Sequence, residues 1–89
     1  MAEIFFTANL RRHVDCPTET IEAATVGELL ASYFAERPGV RGYVLDDQGH
    51  VRHHVKILVD GLNLKDRLTL SDPIGATSRI HVFQALSGG

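Results

Sequence analysis

The carboxyl-terminal residues are the part of this 89-residue chain whose types and spacing best suit chemistry. Leu86 and Ser87 precede two glycines, Gly88 and Gly89. Glycine has no Cβ, so the end of the chain can enter a slot too narrow for a side chain. Four extended residues reach roughly 13 Å, which would carry the carboxylate of Gly89 into another protein's active site. We therefore predict a folded domain over residues 1–85 and a flexible tail over residues 86–89.

A second candidate for chemistry is Cys16, the single cysteine of the sequence. A nucleophilic thiol needs a base or a positive charge beside it. Asp15 and Pro17 flank Cys16, and His13 falls in a predicted loop, so no histidine can be assigned to it. We interpret Cys16 as inert, and a cysteine without an internal partner favours a reducing, cytoplasmic location.

Three histidines lie close together at His50, His53 and His54. On a strand, His50 and His54 would share one face while His53 would point to the other. Zinc needs further ligands, and the sequence indicates none. The sequence also lacks a phosphate-binding glycine loop and a nucleophile–base pair. We predict no metal site and no catalytic residue.

Composition excludes several classes of protein. The net charge is −2, which gives no basic surface for DNA or RNA. Hydrophobic residues make up 44% and charged residues 22%, as in ordinary globular domains. No apolar run approaches the ~20 residues of a membrane span, and the first residues lead into a strand pattern without the features of a signal peptide.

The strongest local signal predicts an amphipathic helix over residues 26–37. Thr25 and Glu28 fit a capping box, and Pro38 with Gly39 ends the pattern. The apolar residues that recur at helical spacing are Val26, Leu29, Leu30, Tyr33 and Phe34. Such a stripe is typical of a core, so we assign it no catalytic role.

Alternating apolar residues predict strands over residues 2–8, 18–24 and 55–60, and a last strand from Ile80. A short hairpin is predicted with arms at residues 43–45 and 50–52 and a turn at residues 46–49. Residues 9–13 are predicted to be a polar connection, and residues 65–77 an irregular crossover. The crossover residues expected to point inward are Leu68, Leu70 and Ile74. One helix covers only one face of such a sheet, so the fold class predicted is α+β with two layers.

Three apolar residues are out of phase with the buried residues of their strands: Phe5, Leu58 and Phe83. On the uncovered face of the sheet they would form an apolar patch, which is typical of a surface that binds a partner. The alternative is that they are isolated exposed apolar residues, which are common. We favour the patch.

Three motifs, in this order, resemble the MoaD/ThiS family of sulfur carriers, which share the ubiquitin-like β-grasp fold. They are Thr25-Val26-Gly27-Glu28-Leu29, Val59-Asp60-Gly61 and Leu86-Ser87-Gly88-Gly89. The resemblance covers essentially the whole chain and, through the insertion at residues 42–54, is closest to the subgroup typified by the cysteine-biosynthesis carrier CysO. Residues 75–79 depart from the Gly-Asp turn usual in the family. The resemblance implies a mixed sheet of four to five strands with one main helix on one face.

The resemblance also implies that the chain is a co-substrate of other enzymes and not an enzyme. An ATP-dependent, E1-like activating enzyme would adenylate the carboxylate of Gly89, and a sulfur donor would convert it to a thiocarboxylate. A downstream enzyme would accept the sulfur for cysteine, a thiolated cofactor, a siderophore or tRNA. Gly88 would keep the tail narrow. The implied partner-binding residues are Leu86, Ser87, Phe83, Leu58 and Phe5.

No bound cofactor is expected, since the activating partner uses the ATP, and the free chain is expected to be a monomer. Three alternatives stay open. The chain could be a ubiquitin-like modifier, whose activated Gly89 is attacked by a lysine of a target protein. It could be the small subunit of a molybdopterin synthase, although the insertion at residues 42–54 argues mildly against this. It could also be an interaction domain whose terminal glycines are incidental.

Overall fold

The computed structural model describes residues 1–84, which contain five strands and three helices. The strands are β1 (Ala2–Phe6), β2 (Glu19–Ile21), β3 (Val55–Val59), β4 (Leu62–Asn63) and β5 (Arg79–Gln84). The helices are α1 (Ala8–Arg11), α2 (Val26–Glu36) and α3 (Pro38–Val44). The predicted tail at residues 86–89, and residue 85 before it, lie outside the described residues.

The strands form one mixed sheet in the order β2-β1-β5-β3-β4. β1 and β5 are parallel, and the other neighbouring pairs are antiparallel. The longest helix, α2, packs its apolar side on one face of this sheet. The predicted α+β, two-layer β-grasp fold is therefore confirmed, with β5 as the central strand. None of the three helices in residues 1–84 is long and apolar enough to cross a membrane.

The start of α2 is set by its cap. The side chain of Thr25 accepts a hydrogen bond from the Glu28 N–H at 3.2 Å, and the Glu28 carboxylate accepts one from the Ala24 N–H at 3.0 Å. The first bond satisfies a backbone donor that the first turn of a helix leaves unpaired, and the second satisfies the N–H of the residue before the cap. The predicted apolar stripe is buried as expected: Val26, Leu29, Leu30, Tyr33 and Phe34.

The crossover between β4 and β5 closes over the amino-terminal end of α2. The N–H groups of Val26 and Gly27 donate to the carbonyls of Asp72 and Leu70, at 3.0 and 2.9 Å. A Cβ on Gly27 would lie 3.2 Å from the Leu70 carbonyl oxygen, so this position favours a glycine. Leu70 is buried and has a φ of 58°, which fits the close approach of the crossover to the helix.

Two predicted segments differ from the structure. Residues 9–13 were predicted to be a polar connection. They contain most of α1 instead, because Leu10 turns into the core. Tyr43 and Val44 belong to α3 and not to a strand, because Pro38 begins a new helix after ending α2. Of the predicted hairpin, the turn at residues 46–49 and a single bridge between Leu45 and Val51 remain.

The crossover also corrects one predicted core residue. Leu70 is buried and Ile74 packs partly buried against the core, as predicted. Leu68 is 60% exposed, so the prediction that it points inward is wrong. The chain turns at Asp66, whose carboxylate accepts hydrogen bonds from the N–H groups of Leu68 and Thr69, and this turn faces solvent.

The turn between β3 and β4 also holds the start of β5. Asp60 and Gly61 both have positive φ, 51° and 85°, as a two-residue hairpin turn requires. The Asp60 carboxylate accepts hydrogen bonds from the Ser78 hydroxyl at 2.9 Å and the Arg79 N–H at 2.8 Å. Ser78 also accepts a bond from the Gly75 N–H at 2.9 Å. In this chain these bonds organise residues 75–79, where the sequence departs from the family pattern.

Candidate functional site

The candidate site begins on the face of the sheet that α2 does not cover. Side chains alternate between the two faces along each strand. In β5, Ile80 and Val82 are buried beneath α2, so Arg79, His81 and Phe83 point to the other side. We call this side the open face; on the three central strands β1, β5 and β3 its residues are Glu3, Phe5, Lys56, Leu58, Arg79, His81 and Phe83. β5 runs from this face directly toward the predicted tail.

The three predicted docking residues, Phe5, Leu58 and Phe83, all lie on the open face and are half-buried. Phe5 and Leu58 are each the direct cross-strand partner of the same residue, His81. Phe83 lies two residues further along β5, opposite Lys56. The structure therefore brings the three residues together around β5, and their role in binding a partner remains a prediction.

His81 lies at the centre of the open face, and the sequence interpretation missed it. Its ring stacks on Phe5 with centroids 4.7 Å apart and an angle of 10° between planes. The ring of Phe83 meets it edge-on, with centroids 6.3 Å apart and an angle of 82°. The signal was present in the sequence, since His81 has the same phase as Phe83. It was passed over because only the apolar exceptions to the alternation were considered.

The open face carries more positive than negative charge. On the strands themselves, Lys56 and Arg79 are its cationic residues and Glu3 is its carboxylate. Glu3 and Arg79 are direct cross-strand partners with nitrogen and oxygen 3.7 Å apart. Because Arg79 is largely exposed and Glu3 is partly exposed, this ion pair adds little stability. Lys56 makes no ion pair within the described residues and flanks Phe83.

The carboxyl-terminal end of β5 is held by the end of β1 and by α1. The Thr7 N–H donates to the Val82 carbonyl at 3.2 Å, which extends the parallel pairing past β1. The amide of Asn9 donates to the side-chain oxygen of Gln84 at 3.4 Å. These contacts hold the last described residues of β5 against the end of β1 and against α1. The predicted acceptor Gly89, with Gly88, Ser87 and Leu86, lies outside the described residues.

The structure places Cys16 away from any nucleophilic role. Its side chain is 1% exposed and belongs to the core. Burial raises the pKa of the Cys16 thiol, which keeps it protonated at neutral pH, although the Arg11 charge opposes this effect. Nearby, the Tyr33 hydroxyl donates to the Pro17 carbonyl at 2.7 Å, and burial raises the pKa of Tyr33 as well.

The histidines at positions 53 and 54 lie in a turn before β3, so the alternation of faces expected on a strand does not apply to them. Their rings meet edge-on with centroids 5.4 Å apart. The His50 N–H donates to the Asp46 carboxylate, and this bond is the largest cause of the lowered pKa of Asp46. Within residues 1–84 no group of three or more metal-binding side chains converges.

A groove of about 500 Å³ lies between the β3–β4 hairpin and the crossover. Its walls include Asp60, Asp66 and Asp72, whose carboxylates already accept hydrogen bonds from nearby residues. Val59 lies beside the groove and pairs with Ile80 near the start of β5, whereas Val55 pairs with Gln84 at its end. The groove therefore lies near the start of β5, at the opposite end of the strand from Gln84.

Solved structures with the same fold extend over nearly the whole chain. SAMP1 from Haloferax volcanii is 24% identical, covers 99% of this chain and 98% of its own, and superposes with a TM-score of 0.82. CysO in the Amycolatopsis orientalis BexX/CysO complex structure gives 14% identity, 100% coverage of both chains and a TM-score of 0.83. At these identities the likeness shows the shared fold.

A third structure, the Haloferax volcanii HVO 2177 protein, is 30% identical over 99% of this chain and 85% of its own, with a TM-score of 0.68. A comparison with curated protein sequences finds no match. The ThiS family model matches residues 4–89, a span that includes the whole of β5, the open face from Phe5 onward and both terminal glycines. The chain therefore belongs to the ThiS family of ubiquitin-like β-grasp proteins.

Proposed function

We propose that this chain is a sulfur carrier that holds sulfur as a thiocarboxylate at Gly89. The observation that carries the proposal is the family match, which extends through Gly89 and so includes the terminal glycines. Membership over this span argues against a Gly-Gly end that is incidental. The buried Cys16 thiol supports the assignment of the sulfur to the terminal carboxylate, because its burial removes the obvious alternative sulfur site of the chain.

The proposed chemistry needs a partner that uses ATP. The Gly89 carboxylate attacks the α-phosphate of ATP, pyrophosphate leaves, and an acyl adenylate forms. A donor then supplies sulfur at the level of hydrosulfide, which attacks the acyl carbon and expels AMP. The product is a thiocarboxylate that a downstream enzyme uses as its sulfur source. In this cycle the chain is a substrate of each enzyme and catalyses no step itself.

The open face is the proposed docking surface for the activating enzyme. It lies on the strand that leads to the tail, and Phe5, Phe83 and Leu58 give it an apolar area around His81. Interfaces gain most of their affinity from a few aromatic and apolar anchors near the centre of the contact. A body docked through this face would leave residues 85–89 to reach the active site, roughly 16 Å of extended chain.

The first test is the intact mass of the protein purified from its native cells without reductant or acid. Sulfur in place of one oxygen, localised to Gly89 by tandem mass spectrometry, is the expected result. In parallel, the chain should support ATP–pyrophosphate exchange by an E1-like enzyme from the same cells, and a variant lacking Gly89 should not. Failure of every such enzyme to catalyse exchange with the full chain would rule the proposal out.

A second candidate function is that of a protein modifier. It is favoured by the structural likeness to SAMP1, which is named a small archaeal modifier protein. Activation would be the same, but a lysine amine of a target protein would attack the adenylate or a derived thioester. Isopeptide links between Gly89 and lysines, found by mass spectrometry of larger adducts, would favour this function over sulfur transfer.

A further inference from the structure

The ring of His81 is held in place, and its nitrogens are free of partners in the described structure. Phe5 stacks on one side of the ring and Phe83 meets it edge-on. Among residues 1–84 no side-chain hydrogen bond involves His81, and its nitrogens are not among the buried polar atoms that lack a partner. The ring is therefore oriented by aromatic contacts, and it still reaches solvent.

A partner that covers the open face would remove solvent water from the nitrogens of His81. A buried polar group that loses its hydrogen bond to water is costly unless the partner replaces that bond. An apolar protein surface alone would therefore bind poorly over His81. A partner that fits this face must place a hydrogen-bonding group opposite the imidazole.

The charges around His81 indicate the kind of group. Each central strand places one charged residue on the open face: Lys56 on β3, Arg79 on β5 and Glu3 on β1. Arg79 and Glu3 form an ion pair with each other. β2 and β4 add only the uncharged Thr20 and Asn63 in register with this face. At the end of β3, the Asp60 carboxylate is already occupied by the Ser78 hydroxyl and the Arg79 N–H. Lys56 is therefore the charged residue of these strands without an ion-pair partner, and its charge favours an anionic partner group.

We propose that His81 is a specificity-determining contact of the open face, donating a hydrogen bond to a carboxylate of the activating enzyme so that docking takes up a proton. This rests on the proposed function, since it names a contact for the partner that adenylates Gly89. Histidine is the side chain whose charge changes between about pH 5 and pH 8. The protonated carrier binds more tightly, and docking weakens as the pH rises through this range.

The same residues are less suited to a nucleic acid. Single-stranded RNA or DNA binds to sheets by stacking bases on exposed aromatic faces. Here His81 already occupies one face of the Phe5 ring, and the ring of Phe83 is turned edge-on to it. The geometry therefore favours a protein carboxylate. Tight binding of a single-stranded oligonucleotide to this face would overturn the proposal.

The test measures docking apart from chemistry. A chain truncated after Ser87 cannot be activated, so calorimetric titration into the activating enzyme reports docking alone. Titrations at about pH 6.5, in buffers of different ionisation enthalpy, give the number of protons taken up. We expect net proton uptake with the parent chain and a loss of most of that uptake with His81→Gln, which keeps a polar side chain that does not titrate in this range.

Affinity gives the second readout. At about pH 5.5 the His81→Gln chain should bind about tenfold more weakly than the parent, and the ratio should approach one at about pH 8. A Lys56→Gln control should weaken binding at both pH values and keep the proton uptake. Equal proton uptake in parent and His81→Gln chains, with docking intact, would overturn the inference and leave the proposed function standing. Absence of any activating enzyme would instead remove the proposed function and this inference with it.

Discussion

The face of the sheet beneath α2 and the open face use alternate residues of the same strands, yet they differ in burial, charge and packing. In β5, Ile80 and Val82 face α2 and are 0% and 1% exposed. The alternate residues, His81 and Phe83, face the other way and are half-buried. The covered face is wholly apolar at its centre. The open face combines aromatic rings with a histidine and a lysine.

This difference separates stability from recognition along one short strand. Residues under α2 contribute free energy of folding because they leave water completely. Residues on the open face leave water completely only when a partner covers them, so their larger contribution is expected in the complex. Adjacent positions of β5 should therefore give opposite results when they are substituted.

The largest effect is expected for Ile80→Ala on the covered face. Ile80 is 0% exposed and pairs with Ile4 and Val59 on either side. Truncation leaves a cavity at the centre of the core, and we expect the free energy of unfolding to fall by about 2–5 kcal/mol. Urea denaturation followed by circular dichroism measures this. A fall below about 1 kcal/mol would show that the centre of the sheet relaxes around the loss.

The second largest effect is expected for Phe83→Ala on the open face, and it concerns docking affinity. We expect docking to the activating enzyme to weaken about tenfold or more, as for an aromatic anchor, with a loss of stability of roughly 1 kcal/mol or less. The neighbouring Val82→Ala is the matched control, because it faces the core. It should lower stability more than Phe83→Ala and leave docking affinity unchanged. Weaker docking by both variants, in proportion to their stability, would contradict the separation of the two faces.

The sequence was sufficient for the covered face because its signals are periodic. The stripe of α2 and the alternation in β1, β3 and β5 each repeat over several residues, so single exceptions did not change the prediction. α3 was missed because Pro38 was interpreted only as the end of one helix, and proline at a first position also begins one. Leu68 was misplaced because no periodicity constrains an irregular crossover, where backbone N–H groups that donate to the Asp66 carboxylate decide the path.

The candidate site could be predicted only in part. The phase of Phe5, Leu58 and Phe83 placed them on the open face, and the structure agrees. Their meeting point at His81 depends on which strands are neighbours and in what register, and a single sequence does not contain that information. The tail residues 86–89 were predicted from residue type alone. Their proposed role is supported by the family match and is tested by the mass measurement at Gly89.

A smaller effect tests the helix that covers one face. Thr25→Ala removes the hydroxyl that accepts the Glu28 N–H, and we expect a loss of about 1 kcal/mol in the free energy of unfolding. Thr25→Ser keeps the oxygen and should recover most of the loss. Docking should be unaffected in both variants, since α2 lies on the far side of the sheet from the open face. A docking defect in Thr25→Ala alone would show that the two faces are coupled through α2.

The smallest effect concerns the crossover that closes over α2. The Ser71 and Thr69 hydroxyls donate to the Asp66 carboxylate and hold the pKa of Asp66 well below its usual range. A lowered pKa in the folded state stabilises the fold above the pKa of the unfolded chain, about 3.9, and this contribution is lost as the pH falls below it.

Asp66→Asn should therefore reduce the loss of stability that acid produces, and by less than the Thr25→Ala change, because Asp66 is partly exposed to solvent. The measurement is urea denaturation at about pH 6 and about pH 3, which lie on either side of the unfolded value. Asp47→Asn is the matched control, since Asp47 is exposed and accepts no side-chain hydrogen bond within residues 1–84. An equal acid response in the two variants would mean that the Asp66 turn does not help to hold the crossover against α2. The crossover would then be held by apolar packing and by the backbone hydrogen bonds that Val26 and Gly27 donate to it.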